Sequence, residues 1–134
     1  MSFLVALIGT RDTTTDDIDA VLDYHLRQRP AFWSGAKHDR WAQGTRVVAK
    51  MAGVGLVVLT GTLDCLGPVY DPLERHGQTW DWRYDIRWDA RPPQGVPVSE
   101  LGLPFARSIR SAQGITREEF DRAYSALHGR GPRP

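Results

Sequence analysis

The chain has 134 residues, the usual size of one domain, and its 41% hydrophobic and 25% charged content fits a globular protein with one apolar core. A net charge of +1, from 17 basic and 16 acidic side chains, argues against binding that rests on phosphate neutralisation alone. The one cysteine, Cys65, excludes an intramolecular disulfide and a cysteine metal cluster.

The run Phe3–Ile8 is continuously apolar and ends at Gly9, the pattern of a short strand buried on both faces and central in its sheet. It is too short to span a membrane and has no basic segment before it, so it does not read as a signal peptide. No other apolar run is long enough to span, and the cytoplasm is the expected compartment. Thr13, Thr14 and Thr15 ahead of Asp16 and Asp17 are a helix-start signal, because hydroxyls cap free N–H groups and acids suit the positive end of the dipole. Ile18, Val21, Leu22 and Leu26 follow at helical spacing, Arg27 and Arg29 suit the far end, and Pro30 stops the helix.

Residues 31–44 show no clear period and read as a structured connection holding Trp33, Gly35, His38 and Trp41. Two strands, 45–51 and 56–63, flank Ala52-Gly53-Val54-Gly55 as a hairpin. Residues 67–78 read as a loop. In residues 80–88, Trp80, Trp82, Tyr84, Ile86 and Trp88 alternate with Asp81, Arg83, Asp85 and Arg87. Only a period of two puts every large apolar side chain on one face, so this is a strand. After Pro92-Pro93-Gln94-Gly95, residues 96–103 are a short edge strand or an extended segment, given Pro97 and Pro104. Thr116 with Glu119 predicts a capping box, and Ile115 with Phe120 a hydrophobic staple. Phe120, Tyr124 and Leu127 form the expected buried stripe of that last helix, and Gly129 ends it. The chain thus reads as one α+β domain over residues 1–129, with 130–134 as a frayed tail.

Charge is uneven along the chain. Residues 31–50 carry Lys37, Arg40, Arg46 and Lys50 against Asp39 alone, and residues 104–134 carry six arginines against three acids. His25, His38, His76 and His128 are scattered without metal-ligand spacing, so no metal or other cofactor is expected. There is no GxSxG elbow, the Gly53-Val54-Gly55 run does not extend to a phosphate loop, and Cys65 reads as a small hydrophobe rather than an activated thiolate. Trp33 and Trp41 stand among Ser34, Lys37, His38 and Arg40. Aromatics interleaved with cations offer stacking faces and phosphate contacts together. Arg107-Ser108-Ile109-Arg110-Ser111-Ala112-Gln113-Gly114 is a second polar cluster, with two arginines, two serines and a glutamine just ahead of a helix start. Packing is the competing reading for the tryptophans, and a solvated loop for the arginines.

The order of elements resembles the PUA-like superfamily and, within it, the EVE group. Trp33-Ser34-Gly35-Ala36-Lys37-His38 is similar to that group's Trp-x-Gly-Val-Arg-Asn pattern, with His38 where the pattern has Asn. Gly44-Thr45-Arg46-Val47-Val48 occupies the place of its Gly-Asp-x-Val strand entry, with Thr45 for the Asp. Arg107-Ser108 followed by Ile115-Thr116-Arg117-Glu118-Glu119 is similar to its Arg-Ser and Ile-Thr-x-Glu-Glu run. The first strand departs from the group, ending Ile8-Gly9-Thr10 in place of Ser-x-Pro.

The resemblance implies a mixed β pseudo-barrel with short flanking helices and a pocket beside the Trp-x-Gly connection. It further implies a module that binds a modified base extruded from DNA or RNA, without catalysis. On the matching positions Trp33 would stack on the base, Ser34 or His38 would contact its edge, and Trp82 and Tyr84 would line the floor or belong to the core. Lys37, Arg40, Arg107, Ser108 and Arg110 would meet phosphate. Two alternatives stay open. One is hydrolysis of an acylated nucleoside, as in the related ASCH group, using Lys37, Thr45 or Lys50 with Asp39. The other is a protein-interaction domain. The sequence leaves the oligomeric state undetermined.

Overall fold

The computed structural model describes residues 2–38, 41–75, 77–109 and 111–129. Among them, eight strands form one curled mixed sheet with a few short helices packed on it. The main path runs β2 (Ala31–Ser34), β6 (Gln78–Trp88), β4 (Leu56–Leu63), β3 (Arg46–Met51), β1 (Phe3–Ile8), β8 (Ala112–Gly114). Off it, β5 (Val69–Arg75) pairs β6, and β7 (Val96–Pro97) pairs β4.

The apolar run of β1 is central, as expected: β1 lies parallel to β3 on one side and antiparallel to β8 on the other. Its alternate side chains serve two different clusters. Leu4, Ala6 and Ile8 join Val47, Ala49, Met51, Phe32, Tyr84 and Ile86 inside the curl. Val5 joins Val48, Val57, Phe105, Phe120 and Leu127 beneath α2 (Val98–Leu101) and α3 (Arg117–His128) on the other face. One core was expected; the sheet carries an apolar cluster on each face, which is why β1 has no polar side.

The 45–51 and 56–63 strands pair as the expected antiparallel hairpin. Where β4 crosses to β6, Gly61 pairs with Trp88, and a Cβ there would stand 2.8 Å from Ile86 Cγ2 and 2.9 Å from the Arg87 carbonyl. The strands approach that closely only because glycine has no side chain. The capping box of α3 is present, with Glu119 N–H donating to Thr116 Oγ1 at 3.1 Å and Thr116 N–H to Glu119 Oε1 at 2.8 Å.

Five expectations need correction. Residues 31–34 are not an irregular connection but strand β2, fully buried and antiparallel to β6, because the aromatic strand offers it a free edge. Residues 69–75 are not a loop but β5, with Pro72 inside the register shift between Tyr70 and Leu73, where no ladder N–H is required. The first helix is not one regular α-helix. It passes from a 3₁₀ turn (Thr15–Asp17) through α1 (Ile18–Asp23) into a π-helical turn (Tyr24–Gln28). Residues 96–101 are β7 followed by the short α2. Tyr124 is not in the buried stripe; it lies exposed at the surface, its ring 4.4 Å from His128 and the Arg46 guanidinium 5.8 Å away.

Candidate binding cavity

A cavity of about 810 Å³ opens at the end of the curl. It lies between the end of β1, the first helical segment, the β3–β4 turn, the β5–β6 hairpin and the loop before β8. Three aromatic rings line it: Tyr24 from the π-turn, Trp33 from β2 and Trp80 from β6. Three cations also line it, Arg11, Lys50 and Arg75, against the carboxylate of Asp17.

The walls are held locally. Lys50 is next to last in β3, just past the Ala49/Lys50 irregularity, and its ammonium donates to the Arg107 carbonyl at 3.0 Å, tying β3 to the segment beside Ser108. Burial lowers the Lys50 pKa. Arg75 lays its guanidinium 4.6 Å from the centre of the Tyr24 ring. His25 is buried, with Nδ1 2.9 Å from the Ala31 carbonyl. A carbonyl only accepts, so Nδ1 carries the proton and Nε2 is the bare acceptor. Burial lowers the His25 pKa to about 4 despite the bond to Ala31, so the ring is neutral at pH 7. Gly53, at φ +86°, sets the β3–β4 turn against the Thr10 and Thr13 carbonyls, where a Cβ would come within 2.7 Å and 2.4 Å.

The residues singled out from sequence are divided by the fold. Trp33 does border the cavity, but as a wall. It is 5% exposed, its indole N–H donates to the Asp71 carbonyl at 2.7 Å, and Tyr24, His25 and the Arg29 guanidinium crowd its ring at 6.1, 6.1 and 5.9 Å. Ser108 lines the same cavity, and Arg107 is an exposed neighbour whose carbonyl takes the Lys50 bond. Ser34 is fully buried, its hydroxyl 2.8 Å from that of Ser111, which is on the cavity wall. Tyr84 belongs to the core, stacked on Phe32 at 4.8 Å, and its hydroxyl accepts from the His38 N–H at 2.6 Å. His38 packs on Trp41 at 4.7 Å. Of the two readings of Tyr84, floor or core, the core is correct.

Trp82 and Lys37 come together outside the cavity, the ammonium 5.1 Å from the ring centre. Arg40 and Arg110 lie outside the described residues, as do Asp39, His76 and residues 130–134. Thr45 is buried just before β3 and is not on the cavity wall. Cys65 is half-buried, and burial pushes its thiol pKa up. Among the described residues no group of three His, Cys, Asp or Glu side chains is placed to hold a metal ion. No helix among them is long and apolar enough to cross a membrane.

Sequence reasoning missed Tyr24, His25, Arg75 and Trp80 as wall residues. His25 continues the Ile18, Val21, Leu22 spacing, so its inward position was legible from the helical period. Arg75 and Trp80 enter the wall through the β5–β6 pairing, which the loop reading of 67–78 hid.

No protein-family model and no curated protein matches the chain. Among solved structures, the NMR structure of Rpa0253 from Rhodopseudomonas palustris is similar, at 15% identity, TM-score 0.62, covering 96% of this chain and 94% of that one. At that identity the likeness speaks for the fold alone, a curled mixed sheet with few short helices.

Proposed function

We propose that the domain is a PUA-like, EVE-like pseudo-barrel whose cavity takes a modified nucleobase from nucleic acid, without catalysis. The observation that supports this reading is the convergence of Tyr24, Trp33 and Trp80 with Arg11, Lys50 and Arg75 around one cavity. Rings bind a flat guest through its faces, and the cations favour a phosphate attached to it. The volume, about 810 Å³, lies in the range of small-ligand sites, roughly 300–1,000 Å³, and exceeds what a base alone requires. Neutral His25 offers an acceptor, which suits a base edge that donates. Stacking with a few polar contacts needs no large positive charge, in keeping with +1 overall.

The test is a tryptophan-fluorescence titration with nucleoside 5′-monophosphates carrying the four standard bases and their methylated forms, in deoxy and ribo series. Saturable quenching that Trp80→Ala and Arg75→Gln weaken about tenfold is expected. Absence of saturable binding across the whole panel removes the reading.

A second reading, hydrolysis of an acylated nucleoside, draws on Lys50 alone, a cavity lysine whose pKa burial lowers. Release of free acid from an acylated cytidine that Lys50→Gln abolishes would favour it over binding alone.

A further inference from the structure

We infer that a second base-stacking station lies beside the cavity, made by Tyr70 and Trp82 with Lys37, so that the ligand is a single-stranded polynucleotide segment rather than a free nucleotide; this rests on the nucleobase reading of the cavity. Trp80, on the cavity wall, and Trp82 are two residues apart on β6 and so share a face, about 7 Å from one another along the strand. Tyr70 pairs with Trp82 across the β5–β6 ladder, and the two rings meet edge to face at 5.6 Å. Ser34 pairs with Trp82 on the other side, and its hydroxyl bonds Ser111 of the cavity wall. The Tyr70–Trp82 pair therefore stands next along β6 from the Trp80 wall, with Trp82 half-buried against the core.

Tyr70 is 65% exposed, an unusual state for a large aromatic ring in a sheet, and it offers an open face. Lys37 is exposed and its ammonium stands 5.1 Å from the centre of the Trp82 ring, a cation beside the Tyr70–Trp82 pair. An aromatic platform with an adjacent ammonium is the chemistry that holds single strands, because every base has a π-face and every linkage a charge. The spacing also fits. Bases splayed off a single strand can place one guest against Trp80 and its neighbour on Tyr70.

The experiment compares each monophosphate of the panel with a pentanucleotide carrying the same base at its centre, flanked by thymidines or uridines. Pentanucleotides are expected to bind about tenfold or more tightly than the matching monophosphate. Tyr70→Ala should remove that gain and leave monophosphate affinity unchanged. Lys37→Gln should lower the slope of log K against log salt by about 0.7, the share of one single-strand phosphate. Thermal melting of Tyr70→Ala serves as the folding control, since the side chain is mostly in solvent. Monophosphate binding with no gain on lengthening, or a gain that Tyr70→Ala leaves intact, overturns the second station while the cavity reading stands. Pentanucleotide binding that Tyr70→Ala weakens, with no monophosphate bound, overturns the cavity reading instead. If neither probe binds, both fall.

Discussion

His25 couples folding to pH in a way that one substitution can isolate. Its folded pKa, about 4, lies below the ordinary histidine value of 6.5, so the folded chain takes up this proton less readily than the unfolded chain. Stability from the neutral ring is therefore whole above about pH 6.5 and is lost as the pH falls towards 4, an amount of about 3 kcal/mol. Urea midpoints for the wild type should drop across that window, and His25→Gln should flatten the slope there while starting from lower stability. The same slope in both proteins would contradict the assignment. Asp71 and Asp89 do not confuse this window. The bond from Arg83, with Arg29 beside it, holds Asp71 below the ordinary carboxylate range; burial would raise Asp89, but bonds from Arg46 and Thr60 hold it below that range too. Trp33 makes a second case. Truncating a buried ring costs about 3–5 kcal/mol, whereas Trp33→Phe loses the bond to the Asp71 carbonyl and costs about 1 kcal/mol. Denaturation of the two variants in parallel reads that difference, and an unchanged Trp33→Ala midpoint would make the ring a free platform after all.

At the scale of elements, what the sequence revealed divides by how local the signal is. The β6 alternation, the capping box at Thr116 and the hairpin around Gly53 are all written within a few residues, and the structure has each of them. β2 was hidden because its partner, β6, is far along the chain, and β5 because Pro72 interrupts it, so neither carries a period of its own strong enough to read. The cavity suffered most from this. The aromatic-basic stretch read from the sequence was centred on residues 32–41 and gives the described cavity wall Trp33 alone, whereas the fold assembles the cavity from the π-turn, the β3 end and the β5–β6 hairpin. Gly53 shows how tightly these elements are joined. It needs φ +86° and leaves no room for a Cβ between the hairpin turn and the Thr10 and Thr13 carbonyls. Gly53→Ala should therefore cost about 1–3 kcal/mol and weaken cavity binding, whereas Gly35→Ala, with open space around it, should do neither. Chemical denaturation together with the fluorescence titration checks both.

For the whole molecule, the cavity is a junction rather than a surface feature. Its walls come from residues as early as Leu7 and as late as Ser111, and they draw on both edges of the curl. A guest held there touches elements far apart in the chain and has no such site in the unfolded chain, so its binding energy adds to the stability of the fold. At a free concentration one hundred times the dissociation constant, that addition is about 2.7 kcal/mol. With an unfolding entropy of about 2.1 cal/mol/K per residue, a chain of 134 residues should melt roughly 10 °C higher. The measurement is a thermal scan with the tightest monophosphate of the panel, its concentration set from the fluorescence titration. The melting point should climb with the logarithm of ligand concentration, and Trp80→Ala should displace that curve to higher concentration by its loss of affinity. Quenching without any rise in melting temperature would mean that the nucleotide meets a tryptophan elsewhere or binds the unfolded chain equally well, and the cavity would lose its claim as the site.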